Sequence, residues 1–206
     1  MRKIQIRVSA LACLAFMIAG ATAARADEIS AGIFAQRLFA AKSFDKKIYA
    51  CFVRRYDAAH LKQHPLQKVS AMKLLLAAEY VPDDAAMVYS FRLGVNFRHR
   101  PGNFDSSGDC GRAQASETKD GGLEIHCSVD CDGGGIEVGL SKASDQAVIL
   151  RLEQVRIWDV NKPDEDATHS LRGGADDRIF RLDRVDAEEC ASLIADRKEL
   201  AALRHK

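Results

Sequence analysis

The chain contains none of the motifs that identify the common enzyme classes. There is no Gly-x-Ser-x-Gly nucleophile elbow, no glycine-rich phosphate-binding loop ending in Lys and Ser or Thr, and no Gly-x-Gly-x-x-Gly dinucleotide fingerprint. Aromatic residues make up only 7% of the chain, and Trp158 is its only tryptophan. Composition, cysteines and strand pattern are therefore the guides to function.

The chain also lacks an excess of positive charge. Residues 1–26 carry four of the 30 basic residues and none of the 29 acidic ones, so the remainder has 26 basic residues and a formal charge of −3. Proteins that bind nucleic acids or anionic membranes concentrate Lys and Arg. The composition therefore predicts no nucleic-acid partner.

The apolar run at residues 8–19 is too short for a membrane span, which needs about 18 residues or more. It follows three basic residues and precedes Ala24-Arg25-Ala26, which has the small-x-small form of a signal-peptidase site. We expect residues 1–26 to be a cleavable signal peptide. Residues 27–206 are then a single exported β-rich domain, periplasmic or secreted, without a stable membrane span.

The domain contains an odd number of cysteines. Five remain beyond the predicted signal: Cys51, Cys110, Cys127, Cys131 and Cys190. Because oxidising compartments favour disulfides, up to two bridges are expected, with one thiol left over. Cys110 is predicted to bridge Cys127 or Cys131. Cys51 and Cys190 either form a second bridge or are two small buried side chains.

Alternating apolar and polar residues predict a mainly β fold. The alternation is clearest at residues 87–98. Residues 69–80 suit a helix by propensity. We nevertheless interpret them as a strand, because the long strand at residues 87–98 needs a long partner and this segment is the nearest candidate. Shorter strands are predicted at 48–53, 123–129, 136–140, 147–152, 155–160 and 179–182. The lipocalin Gly-x-Trp signature is missing, because Ile157 and Arg156 precede Trp158.

A helix is predicted at each end of the domain. The first covers residues 27–42, and the second begins at the capping box formed by Asp186 and Glu189. Strands in sequential order favour an antiparallel meander that closes into a small barrel or sandwich. Residues 56–65, 100–122 and 161–177 are predicted to be polar connections, and the last two are the expected contact surfaces.

Reactive side chains concentrate around the hairpin at residues 123–140. They are His126, Cys127, Asp130, Cys131 and Asp132, with Asp105, Asp109 and Cys110 shortly before them. Thiolate and imidazole ligands suit zinc or copper. However, Cys127 and Cys131 lie on one face of an extended strand and His126 lies on the other. A disulfide is therefore the preferred interpretation, and neither a metal nor a cofactor is assigned.

Two further groups of basic residues are candidate binding sites. Arg92, Arg98, His99 and Arg100 could form a small anion-binding patch along a strand edge, with Arg98 and Arg100 as its candidate contact residues, although a solvated outer face is the commoner explanation for them. His60 and His64 are spaced for metal chelation on a helix, but Leu61 replaces the glutamate that the zincin motif requires, so we interpret them as turn residues.

Two main functional hypotheses follow, and a third, weaker one is a structural envelope protein whose odd cysteine cross-links two copies. The first is a non-enzymatic periplasmic or secreted binding module with loops held by disulfides, whose partner is an unknown small ligand or envelope protein. Its candidate contact residues are His126, Asp130, Asp132, Asp105, Asp109, Arg98 and Arg100. The alternative is a metal- or thiol-dependent enzyme centred on Cys110, Cys127, Cys131 and His126.

Overall fold

The computed structural model describes residues 30–116, 122–162 and 169–204. The predicted signal peptide at residues 1–26 lies outside these ranges. Residues 117–121 and 163–168, which belong to two of the predicted connections, also lie outside them. Export of the domain therefore stays a prediction.

Antiparallel strands form the framework of the described chain. They are β1 (Ile48–Arg55), β2 (Val69–Val81), β3 (Ala86–Phe97), β4 (Phe104–Cys110), β5 (Gln114–Ala115), β6 (Leu123–Ser128), β7 (Gly134–Ser141), β8 (Ser144–Asp159), β9 (His169–Arg172) and β10 (Ile179–Val185). The helical segments are α1 (residues 30–39), α2 (Ala58–Gln63), a 3-10 helix (Ala187–Leu193) and α3 (Arg197–Arg204).

Eight of these strands close into a barrel. Neighbouring strands follow the order β10-β1-β2-β3-β4-β6-β7-β8, and β10 also pairs with β8. Closure is made by Val185 opposite Cys51 and by Leu182 opposite Val148. The short strands β5 and β9 pair with β6 and β8 outside this closed path. The structure confirms the predicted antiparallel β fold with a helix near each end.

Apolar side chains fill the barrel interior. Along β3, Phe91, Leu93 and Val95 face inward and are at most 1% exposed, whereas Arg92 faces outward. The other strands contribute large inward side chains in the same way, including Phe52, Leu74, Leu76, Phe104, Leu150 and Phe180. Each such burial stabilises the fold by about 1.5–3 kcal/mol. The barrel is thus a packed core.

Residues 69–80 form strand β2, as predicted against their helix propensity. β2 pairs with β3 along almost its whole length, from Val69 opposite Phe97 to Val81 opposite Ala86. The pairing and the burial of one face outweigh the intrinsic preference of its Leu and Ala residues.

The prediction of one polar loop over residues 100–122 is wrong, because β4 and β5 lie within it. β4 has no apolar alternation, since the small residues Ser106 and Gly108 follow Phe104 on its inward face. A side chain at Gly108 would clash with the carbonyl oxygen of Ser128 on β6. Small residues on β4 therefore allow β4 and β6 to approach closely, and for this reason β4 lacks the apolar alternation by which the other strands were predicted.

Three other segments differ from the predictions in smaller ways. The strands predicted at 147–152 and 155–160 are one continuous strand, β8. The connection at 161–177 contains β9, and the connection at 56–65 contains α2. In α2, the Asp57 carboxylate caps the helix by accepting a hydrogen bond from the His60 backbone N–H at 2.7 Å.

The predicted C-terminal helix is broken into two helices. Asp186 caps the 3-10 helix, and Asp196 caps α3 by accepting from the Glu199 N–H at 2.7 Å. Ile194 between them has extended backbone angles. The break lets Cys190, Ile194 and Leu203 all pack into a second apolar cluster, which covers the outer side of β1 and β2.

No helix among the described residues has the length and apolar character needed to cross a membrane.

Candidate functional site

The most concentrated polar arrangement lies on the outside of β6, β7 and β8. On β6, Ile125 and Cys127 face the core, so Glu124, His126 and Ser128 face outward. His126 stands opposite Glu137 of β7, which in turn stands opposite Arg151 of β8. We call these five outward residues, Glu124, His126, Ser128, Glu137 and Arg151, the β6–β8 face.

Three residues of this face converge on one point. The His126 Nε2 atom lies 3.3 Å from Glu124 Oε1, and His126 Nδ1 lies 3.8 Å from Glu137 Oε1. One ligand atom from each of these three residues falls within 4.8 Å of the others. Imidazole nitrogen and carboxylate oxygen are both metal ligands, so these three residues could together hold a metal ion.

The Glu124 carboxylate is almost completely buried although it lies outside the core. Its side chain is 2% exposed, compared with 38% for His126 and 41% for Glu137. Arg151 donates a long hydrogen bond of 3.5 Å from Nη1 to Glu124 Oε2. Within the described parts of the chain, the buried Glu124 carboxylate is therefore contacted by His126 at 3.3 Å and by Arg151 at 3.5 Å.

Two grooves meet at Arg151, which lines both of them. The first, of about 850 Å³, runs past His126, Ser128 and Glu137 to Arg178 and the 60%-exposed Ile179. The second, of about 740 Å³, lies between β6, the β7–β8 turn and α1, and Glu124 forms part of its wall. The β6–β8 face is thus the shared wall of two concave surfaces.

The sequence-predicted acids of the hairpin lie at one end of this face. Asp130 and Asp132 are exposed in the β6–β7 turn, where Cys131 and Asp132 have positive φ angles of 55° and 58°. Arg156 of β8 donates to the Cys131 carbonyl oxygen at 2.7 Å and holds the turn in place. The turn therefore lies beside the first groove.

The cysteines form two disulfides. Cys110 of β4 is bonded to Cys127, its direct cross-strand partner on β6, and Cys51 of β1 is bonded to Cys190. Cys131 is a free, exposed thiol. The bridge takes up two of the three thiols on which the alternative enzyme hypothesis depends.

The two predicted acids of β4 are separated by the length of the strand. Asp109 is exposed and stands opposite Ser128, next to the β6–β8 face. Asp105, at the other end, stands opposite Gly94 and lies near Leu193. Burial raises the pKa of Asp105 to about 6, and the charge of Lys73 opposes this rise. Asp105 therefore lies away from the β6–β8 face, beside β3 and the 3-10 helix.

The two predicted arginines also lie elsewhere. Arg98 donates to the Leu61 carbonyl oxygen of α2 at 3.0 Å. Arg100 stacks over the Phe104 ring, with 4.1 Å between the guanidinium carbon and the ring centroid. Each is engaged locally, and the structure does not bring either into contact with His126.

Sequence reasoning identified His126 but missed Glu124, Glu137 and Arg151. The alternation along β6 already places Glu124 and His126 on one face. The register that brings Glu137 and Arg151 into the same row depends on the β6–β7 and β7–β8 pairings, which the sequence alone does not fix.

A second histidine-containing surface lies at α2. The His60 and His64 rings are stacked with 4.3 Å between centroids, and the Tyr56 ring stacks on His60 at 4.6 Å. His60 Nε2 is 3.0 Å from Gln67 Oε1, and His64 Nδ1 is 3.6 Å from Asp176 Oδ1. His60 therefore lies inside α2 and not in a loop, whereas His64 is the C-cap of that helix, in agreement with its interpretation as a capping or turn residue.

Comparison with protein-family models, with curated proteins and with solved structures finds no match to this chain.

Proposed function

We propose that this protein is a non-enzymatic binding module of the periplasm or extracellular space, and that it contacts its ligand or envelope partner with the β6–β8 face. The observation that carries the proposal is the position of Arg151 between two grooves on the outside of a barrel whose interior is packed. The concave surfaces for a ligand therefore lie outside the barrel.

The packed interior supports an external site. Phe52, Phe91, Phe104 and Phe180 are each at most 1% exposed and occupy the space that a ligand would need inside the barrel. An internal site would require several of these rings to move, at a cost of several kcal/mol.

The first groove has the mixed chemistry of a recognition surface. Its charged groups are Arg151, Arg178, Glu137 and Glu153, and the exposed Ile179 provides apolar contact. Convergent polar groups around an apolar wall fix the orientation of a ligand. A partner with both positive and negative groups fits this lining best.

The disulfides support both the compartment and the rigidity of the site. A bridge between neighbouring strands directly behind His126 fixes β4 to β6, and disulfides persist in oxidising compartments. A prearranged surface binds with less loss of conformational entropy.

The proposal is tested by photo-crosslinking in the exporting cell. A photoreactive residue replaces the exposed Ser128 in the first groove, or the exposed Ala195 between the 3-10 helix and α3 as a matched control. We expect an adduct at position 128, detected as an added protein band or an added mass, and none at position 195. The charge reversal Arg178→Glu should remove the adduct.

No adduct at position 128, or equal adducts at both positions, would contradict the proposed surface.

A further inference from the structure

We propose that Glu124, His126 and Glu137 form a divalent metal site of the zinc type on the β6–β8 face. The inference deepens the proposed function, on which it rests, because it names a ligand class for the same surface. It uses neither the disulfides nor the free thiol.

The donor set selects the class of metal. One imidazole and two carboxylates form a mixed nitrogen and oxygen set, which suits Zn²⁺, whereas Ca²⁺ and Mg²⁺ prefer oxygen ligands alone. The cluster contains no thiolate, because Cys127 faces the core in its disulfide.

The three donors lie near one another but need a rotation of the His126 ring to reach the separations of a tetrahedral site. Bonds of about 2.0–2.2 Å place neighbouring ligand atoms roughly 3.4 Å apart. The two measured separations of His126 from the carboxylates are 3.3 and 3.8 Å. They involve different ring nitrogens, so a rotation of the His126 ring must bring one nitrogen toward both oxygens. The three ligand atoms already lie within 4.8 Å of one another.

The strands hold the three donors in place. Glu124 and His126 are two residues apart on β6, and Glu137 is the cross-strand partner of His126. The disulfide between Cys110 and Cys127 fixes Cys127, the residue directly after His126, to β4. Sites built on paired strands keep their ligands in place better than sites built on loops.

Burial of Glu124 supplies the electrostatic reason for a cation. Burying a carboxylate is costly unless a positive charge is close. The Arg151 guanidinium reaches Glu124 Oε2 only at 3.5 Å and leaves Oε1 directed at His126. A metal ion at Oε1 would neutralise this charge, while Arg151 would keep the carboxylate oriented through Oε2.

Three protein ligands leave room for a fourth. His126 and Glu137 are partly exposed and both line the first groove, whereas Glu124 lines the second. A donor atom of a ligand lying in the first groove could therefore coordinate the metal directly, as water or substrate does in open zinc sites.

The test is calorimetric titration of the purified protein with Zn²⁺. The stacked pair His60 and His64 offers a competing chelate, so the titration uses a background in which both are replaced by alanine. We expect one equivalent of Zn²⁺ to bind, and His126→Ala or Glu137→Gln to weaken the affinity by about tenfold or more. Glu79→Gln is the matched control, since Glu79 lies on β2 outside both grooves with its side chain 51% exposed.

Failure to bind Zn²⁺, or an affinity that His126→Ala leaves unchanged, would overturn the metal site. So would an equal loss from Glu79→Gln. Glu124→Gln is added as the isosteric change at the buried position, and circular dichroism checks that each variant is folded. If Zn²⁺ does not bind but position 128 still gives its adduct, only the metal site fails. If Zn²⁺ binds and no adduct forms, the partner-binding proposal fails instead.

Discussion

Arg92 on β3 and Glu199 on α3 form a two-point ion pair on the outside of the barrel, with hydrogen bonds of 3.0 and 2.8 Å. Tyr49 donates to the same carboxylate at 3.1 Å, and Lys47 lies 3.1 Å from it. Burial would raise the pKa of Glu199, but the hydrogen bonds from Arg92 and Lys47 outweigh this and lower it to about 2. This network fixes the C-terminal helix to the barrel.

Replacing Glu199 by Gln should destabilise the protein by about 2 kcal/mol, between the values for exposed and for buried ion pairs. The Arg92 guanidinium would lose its counter-charge. The side chain at position 199, which is 13% exposed in the protein, would stay largely buried. Urea denaturation measures the free energy of unfolding. Glu188→Gln is the control, because the Glu188–Arg204 pair is about half exposed and should contribute little.

The same network predicts loss of stability in acid. The pKa of Glu199 is lower in the folded protein than its ordinary value of 4.5, so its contribution is complete above about pH 4.5 and is lost as the pH falls toward 2. The difference in free energy of unfolding between the protein and Glu199→Gln should shrink over that interval. A difference that stays constant would show that the charge of Glu199 is not involved.

Asp105 should have the opposite effect. Because the pKa of its carboxyl is raised from 3.8 to about 6 by burial, the protein should lose stability as the pH rises through this interval. Asp105→Asn should therefore stabilise the protein at pH 7 by about 1 kcal/mol, less than the full shift implies because the group is partly solvated. Thermal unfolding at pH 4 and pH 7 measures this, and Asp109→Asn on the same strand should have no effect.

The two disulfides should differ in their contributions to stability. Cys51 and Cys190 are 139 residues apart, and Cys110 and Cys127 are 17 apart. Because the longer loop restricts the unfolded chain more, replacing the first pair by alanine should cost about 5 kcal/mol and the second about 3 kcal/mol. Denaturant titration of the two double variants gives the order, and a larger loss from the Cys110–Cys127 pair would contradict it.

Fold class followed from the sequence wherever one face of a strand is apolar. The alternation of apolar and polar residues predicts β3, and the length of β3 correctly indicates that its partner β2 is a strand. β4 could not be recognised, because pairing with β3 and the Cys110–Cys127 bridge hold it in place, and the small residues Ser106 and Gly108 occupy its inward face. The break at Ile194 likewise depends on tertiary packing of the two C-terminal helices.

The candidate site was only partly predictable for a related reason. His126 stood out by residue type, but an outward Glu on a strand has the pattern of an ordinary solvated residue. Burial of Glu124 and the row formed by His126, Glu137 and Arg151 arise from strand register. Strand register depends on which residues pair across neighbouring strands. The sequence therefore predicts that each of these residues faces outward, but it does not predict that they are neighbours.

We expect the cysteines to stabilise the fold and the side chains of the β6–β8 face to bind the ligand or partner. The most direct test is to alkylate the exported protein in denaturant without reduction and to locate the modified residues by peptide mapping. Among the five cysteines of residues 27–206, only Cys131 should be modified. Modification of Cys110 and Cys127 would contradict the account, because it would restore three thiols beside His126.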